Sequence, residues 1–282
     1  MWLVVFGVLN YSMKVAVLFS GEYRKFDITR KTMSFLDNPD VDVYVSTWNK
    51  TIFSNEKIGL YAVEEITEKR IRQDLKRNSI IKISNHDKIS DKARYNTKMV
   101  DRWINGFNLI KDSGIEYDYV MIMRTDLFFD RAPDSLDFLE TYSNDIAFAW
   151  SHSMSASKKL ADVVFAASFE NMKFLFSELS VAVWNYSVQT DWHSWWFYFI
   201  NDRFPKVLDM TELRNFLFCR YWVDHNSSYR DVFDIHHDWR DLRLLRECDD
   251  FGDQHAVGIW PDNILIEARE KWNSGYFNKY KK

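Results

Sequence analysis

Short apolar runs closed by small or polar residues alternate with stretches of helical periodicity along much of the chain. Val15 to Phe19 is wholly apolar and ends on Ser20-Gly21, the pattern of a buried parallel strand running into a loop. Asp27 to Leu36 predicts a helix, and Asp37-Asn38-Pro39-Asp40 a turn. Val41 to Trp48 predicts a second strand, so this segment reads as a βαβ unit with a right-handed crossover. Val63 to Lys76 predicts a helix and Ile80 to Ile83 a short third strand. Met99, Trp103, Phe107 and Ile110 recur at helical spacing, so residues 91–111 read as an amphipathic helix, with Gly114 where a C-terminal cap belongs. Tyr119 to Met123 is almost wholly apolar, which predicts a central strand, and it runs straight into Arg124-Thr125-Asp126. Ile146 to Trp150 and Val163 to Ser168 predict further strands, and Glu170 to Leu179 a helix. Trp192, Trp195, Trp196, Phe197 and Tyr198 crowd one more helix. With no internal repeat, low-complexity tract or linker, one continuous α/β domain is the expected organisation.

Composition sharpens this picture in a few places. The 282 residues are 46% hydrophobic and 28% charged, enough for a substantial core. Aromatic residues reach 17%, with 12 Trp and 14 Tyr, so rings either fill that core or stack on pyranose rings or bases at the mouth of a site. The formal net charge of −4 lacks the basic excess of a dedicated nucleic-acid binder. A basic run at Lys69, Arg70, Arg72, Lys76, Arg77 and Lys82 reads as a solvated helix face. Two cysteines make no disulfide framework and fit a reducing, cytoplasmic compartment. The apolar run from Trp2 to Leu9 is too short for a membrane span and lacks the basic flank of a signal peptide. Met13 directly precedes the first strand, so residues 1–12 read as an extension and residues 13–282 as the domain.

Ligands of open α/β sheets bind beyond the carboxyl ends of the strands, and three polar clusters fall there. The first is Ser20-Gly21-Glu22-Tyr23-Arg24, where Gly21 permits close backbone approach and Arg24 suits a diphosphate. The second is Ser46-Thr47-Trp48, and the third Arg124-Thr125-Asp126. An acid at the end of a buried strand is costly unless it meets a ligand, a cation or solvent. Asp126 therefore either faces a metal-bound diphosphate or pairs with Arg124 or caps a turn.

The three clusters, in order and spacing, resemble a group of bacterial and viral GT-A glycosyltransferases. Those enzymes open with an apolar strand and an S-G-x-x-R loop, matched by Val15 to Arg24. A D-V-x-x-x-T-W strand follows, matched by Asp42 to Trp48, and then Y-D-x-V-x-x-x-R-x-D, matched by Tyr117 to Asp126. The resemblance covers about the first 130 residues and implies a GT-A-like, Rossmann-related fold: a central, mostly parallel sheet flanked by helices, with an aromatic-rich acceptor-side C-terminal half. Residues 13–130 would bind a nucleotide-sugar donor through Ser20, Gly21, Arg24, Thr47, Trp48, Arg124 and Asp126, and residues 131–282 would face the acceptor. The family's acidic position at the metal and diphosphate carries over to Asp126, and Mn²⁺ or Mg²⁺ suits carboxylate plus diphosphate. The usual D-x-D pair reads Arg124-Thr125-Asp126 here, a cation in place of one acid. A further metal or phosphate ligand is expected from His225, His236, His237 or His255, with His237 the chosen position, and Asp253-Gln254 resembles a D-Q motif of some members. Asp191, before the aromatic helix, is the candidate base of an inverting enzyme, with Asp162 second; Asp191 is equally a good helix N-cap.

Transfer to an acceptor glycan is the leading expectation. Glycosylation of hydroxymethylated bases in phage DNA is an alternative, with the basic run on phosphates and exposed aromatics on bases. A nucleotide- or carbohydrate-binding module without catalysis is another, motivated by the incomplete acidic pair. A Rossmann dehydrogenase is disfavoured, since S-G-E-Y-R and not G-x-G-x-x-G follows the first strand.

Overall fold

The computed structural model describes residues 12–23, 26–55, 60–85, 95–129, 132–149, 164–182, 192–204, 206–210, 217–219, 270–271 and 273–275. In chain order its elements are β1 (Val15–Gly21), α1 (Phe26–Thr29), β2 (Val41–Trp48), β3 (Lys50–Asn55), β4 (Leu60–Glu65), α2 (Glu68–Leu75), β5 (Ile80–Ser84), α3 (Tyr95–Asp112), β6 (Tyr119–Met123), β7 (Leu127–Phe129), β8 (Ile146–Phe148), β9 (Val164–Ser168), α4 (Phe169–Ala182), α5 (Trp192–Asn201), β10 (Val207–Asp209) and β11 (Leu217–Cys219). Seven strands form one sheet in the order β10-β8-β9-β6-β1-β2-β5. Of these strands β9 alone runs against the others, pairing antiparallel with both β6 and β8. The fold is therefore α/β, with a mostly parallel sheet flanked by helices.

The apolar runs explain the layering. A parallel strand covered on both faces is apolar on both, and β1 from Val15 to Ser20 and all of β6 are buried. Alternate residues feed two cores. Val17, Phe19, Val43, Val45, Met121 and Met123 face one side, under Phe26, Met33, Phe35 and the Ile71 and Leu75 side chains of α2. Ala16, Leu18, Tyr44, Val120, Ile122 and Phe165 face the other, under α3, α4 and α5. Many of the aromatic residues sit in this second core. Trp103 packs 5.1 Å from Phe165 and 5.5 Å from Trp196, and Phe107 stacks on Phe176 at 4.7 Å. The aromatic helix α5 thus turns Trp196, Phe199 and Ile200 inward, while Tyr198 stays exposed.

Helix α3 lies unusually close to the sheet. A Cβ on Gly106 would stand 2.6 Å from both δ-carbons of Leu18 and 3.0 Å from the Ser46 Cβ, so only glycine lets α3 settle on β1 and β2. The amino ends of the strands are closed by polar ties. The Lys14 amide donates to Asp118 at 2.7 Å, and the Tyr117 hydroxyl donates to Asp42 at 2.8 Å. Burial, with hydrogen bonds to Tyr44 and Asp42, pushes the Tyr117 hydroxyl well above its ordinary range. Asp42 and Tyr117-Asp118, which open two of the recurrent motifs, hold the sheet together at the end away from Asp126.

Several expected boundaries differ. The helix expected over Asp27–Leu36 is only Phe26–Thr29, followed by 3₁₀ turns at Arg30–Thr32 and Ser34–Asp37. Thr29 and Thr32 draw their hydroxyls to backbone carbonyls, of Thr125 at 2.5 Å and of Thr29 at 2.7 Å, and Met33 leaves the helical region to enter the core. The helix expected from Val63 begins only at Glu68. Thr67 caps it by accepting from the Arg70 amide at 3.3 Å, and the residues before it form the hairpin strand β4 against β3. Strand β8 ends at Phe148, and Trp150, placed by expectation in that strand, lies outside the described residues. Strands β3, β7, β10 and β11 have no counterpart among the expected elements.

Candidate functional site

The strand order reverses between β1 and β6. From β1 the sheet is extended on one side by β2 and β5; helix α3 then returns the chain to β6 on the other side. Ligand sites of open α/β sheets form at such switch points, at the carboxyl ends of the strands. Gly21-Glu22-Tyr23 and Arg124-Thr125-Asp126 are the two segments that leave the sheet there.

Hydroxyl tethers join these segments. Thr47, at the end of β2, donates to the Gly21 carbonyl at 2.8 Å. Thr125 donates to the Glu22 carbonyl at 3.0 Å, and its own carbonyl accepts from Thr29. Both threonines are buried, so each bond forms away from water and fixes a loop that would otherwise fray. Gly21 has φ +109°, a conformation that disfavours any side chain, yet a Cβ there would meet nothing within 4 Å. The glycine is needed for the turn, and the space beside it is open. The Ser20 and Ser46 hydroxyls, register partners on β1 and β2, are buried with no hydrogen-bond partner among the described residues. Trp48 ends β2 with the Arg102 guanidinium 4.1 Å from its ring centre.

Tyr23 anchors the loop after β1. It is fully buried and donates to Asp74 of α2 at 2.7 Å, while its carbonyl accepts from Thr51 at 3.2 Å. Burial, together with Asp74, pushes the Tyr23 hydroxyl well above its ordinary range, and burial likewise raises the Asp74 carboxyl. Arg70 approaches the same cluster, 2.9 Å from Glu64 and 3.9 Å from Asp74. Arg72 pairs with Glu68, and Arg77 donates to the carbonyls of Leu36 and Val41. Three arginines of the basic run are therefore engaged within the fold. Tyr23, Thr29 and Asp74 were not singled out from the sequence; only the position of Tyr23 beside Gly21 pointed to it.

Asp126 is buried, with 4% of its side chain exposed, and Arg124 is 36% exposed. The guanidinium grips the carboxylate with two bonds, Nε to Oδ1 at 2.8 Å and Nη2 to Oδ2 at 2.5 Å. Of the alternatives open from the sequence, the pair with Arg124 is the one present, and it answers the cost of burying the acid. The donor set fits a divalent cation poorly, because Arg124 stands where a second acid would be and its guanidinium crowds the one buried carboxylate. No cluster of three His, Cys, Asp or Glu side chains suited to a metal occurs among the described residues.

Of the positions expected to hold a donor, the structure brings Ser20, Gly21, Thr47, Trp48, Arg124 and Asp126 to one end of the sheet. Arg24, Asp162, Asp191, His225, His236, His237, Asp253, Gln254 and His255 lie outside the described residues. Among the described residues no helix is long and apolar enough to cross a membrane.

The arrangement places these segments together at the switch point of an α/β sheet. No family model matches the chain, and no curated protein matches it. Among solved structures it is similar to the apo form of the glycosyltransferase GlyE of Streptococcus pneumoniae TIGR4. Identity is 13% and the TM-score 0.40, over 70% of this chain and 46% of that one, so the chain spans less than half that structure's length. A likeness this loose names neither a donor nor an acceptor.

Proposed function

We propose that the chain transfers a glycosyl group from a nucleotide-diphosphate sugar to an acceptor glycan. The observation that carries this reading is the meeting of three recurrent motifs at one switch point, tied by the Thr47–Gly21 and Thr125–Glu22 hydrogen bonds. In the proposed reaction the bond between the anomeric carbon and the diphosphate oxygen breaks. The nucleoside diphosphate leaves with the electron pair, and an acceptor hydroxyl oxygen bonds to the sugar. In an inverting reaction Asp191 takes the hydroxyl proton. Ser20, Gly21, Thr47 and Trp48 line the donor side, joined by Arg24, and the Arg124–Asp126 pair stands at the diphosphate. His237 with Mn²⁺ or Mg²⁺ belongs to the resemblance alone. A glycan acceptor is preferred over modified DNA because Arg70, Arg72 and Arg77 are engaged within the fold and the net charge is −4.

A second reading, a binding module without catalysis, is favoured by the closed Arg124–Asp126 pair. One experiment separates the two. Nucleoside diphosphates are screened by thermal shift, since a ligand at 100 times its Kd stabilises by about 2.7 kcal/mol. The sugar nucleotides of any stabilising base are then assayed for diphosphate release. Stabilisation with release supports transfer, and stabilisation without release, in the presence of candidate glycans, supports the module. No stabilisation by any nucleoside diphosphate refutes transfer and a nucleotide-binding module alike.

A further inference from the structure

We infer that Arg124, clamped by Asp126, is the fixed cation that meets the donor diphosphate, and that donor binding at this site needs no divalent metal. The inference rests on the proposed reading of the site as one for a nucleotide-diphosphate sugar.

Three observations carry it. The first is which member of the pair faces outward: Asp126 is 4% exposed and Arg124 36%. The acid is buried, and about a third of the Arg124 side chain is open to solvent at the carboxyl end of β6. The second is the geometry. The two near-parallel bonds, at 2.8 and 2.5 Å, match the fork of a guanidinium to both oxygens of one carboxylate. A metal at Asp126 would have to share the carboxylate with the guanidinium, setting two positive groups side by side at a side chain only 4% exposed. The third is rigidity. Thr125, between the partners, is held through its hydroxyl by Glu22 and through its carbonyl by Thr29, so the segment carrying Arg124 is set before any ligand arrives. A preorganised charge loses little entropy on binding and needs little rearrangement as charge develops.

Chemically, the leaving nucleoside diphosphate keeps the electron pair of the broken glycosidic bond, and negative charge grows on its terminal phosphate. Arg124 is the catalytic residue that stabilises this charge. Asp126 is a positioning residue: it aims the guanidinium and lends it a fixed partner. The pair is neutral overall, so the site attracts a diphosphate by directed hydrogen bonds more than by net charge.

The test uses the full chain and isothermal titration with UDP, GDP, ADP, CDP and dTDP, each in EDTA and in MnCl₂. The wild type is expected to bind one of these equally in both buffers. Arg124→Gln combined with Asp126→Asn removes both charges without burying a lone carboxylate. It should weaken diphosphate binding about 10- to 100-fold and leave the melting temperature and the affinity for the parent nucleoside unchanged. Asp126→Asn alone keeps the cation but loosens its aim, so turnover should fall more than KM rises, whereas a merely structural role would move the melting temperature instead. Binding that appears only with Mn²⁺, or wild-type diphosphate affinity in the double variant, would overturn the inference while leaving the donor reading standing. No binding of any diphosphate to the wild type in either buffer would remove both.

Discussion

Replacing Gly106 by alanine tests the packing that brings the motif strands under one helix. Two effects oppose each other. In the middle of an exposed helix alanine is better than glycine by about 1 kcal/mol. Here the new methyl group would stand 2.6 Å from both Leu18 δ-carbons and 3.0 Å from the Ser46 Cβ. Leu18 is fully buried on the central strand β1, so its methyls cannot move aside without meeting other core side chains. Overpacking of this kind costs about 1–3 kcal/mol, so the net effect is a loss of up to about 2 kcal/mol. At roughly 2–4 °C per kcal/mol the melting temperature should fall by several degrees. Leu18→Val removes the δ-carbons, costing about 1 kcal/mol by itself. In the double variant the clash is relieved, so the two changes together should destabilise less than their sum by about 1 kcal/mol. Urea and thermal unfolding of all four members of this cycle supply the measurement. A stability gain of the full helix-propensity size in Gly106→Ala, or strict additivity with Leu18→Val, would refute the close-packing argument.

Two further predictions concern the ends of the strands. Thr47→Val and Thr125→Val keep shape but each remove one buried hydrogen bond, to Gly21 and Glu22, and each should cost about 1 kcal/mol; wild-type melting in the double valine variant would show that the tethers contribute nothing. Burial raises the Asp74 carboxyl, so the folded chain holds that proton more tightly than the unfolded chain. The resulting stability is full below the ordinary carboxylate pKa of about 4 and is lost as pH rises through the folded value. Asp74→Asn should therefore match the wild type in acid and gain on it toward neutral pH; a melting-temperature difference independent of pH would contradict this.

The strands that carry the site were legible because their signal is local. Residues 41–48 are rich in β-branched and aromatic residues after a turn signal and 119–123 are a bounded apolar run, and their observed limits coincide with the expected ones. The segment 27–36 misled because its threonines bond to backbone carbonyls of their own turn and of a loop near residue 125, which periodicity does not register. Residues 63–65 misled because Val63-Glu64-Glu65 suits the acidic first turn of a helix as well as a strand end, and the partner strand β3 decided the matter. The pairing of Leu127–Phe129 with Leu217–Cys219 joins three-residue strands far apart in the chain, which no local pattern announces. Gly106 drew no notice, since its importance lies wholly in what it faces. At the site, the position of Asp126 was readable but not its state. The same three residues, Arg124-Thr125-Asp126, allow an open acid or a closed pair, and only side-chain geometry separates them.

The central place of β1 shapes how the chain reaches its native state during synthesis. β1 pairs with β2 in register from Val15↔Val41, but its other neighbour is β6, with Val15↔Tyr119. A ribosome that has delivered β1, β2 and β5 has therefore made half a sheet, with one edge of its most apolar strand unpaired until β6 emerges. Pairing across so long a loop is slow, and an uncovered apolar edge invites other chains. The switch point does not exist in that intermediate, because one of its two segments has yet to be made. Completion of the site and protection of that edge are thus a single folding event, and conditions that delay it should send the nascent chain toward aggregation before any partly functional species can accumulate.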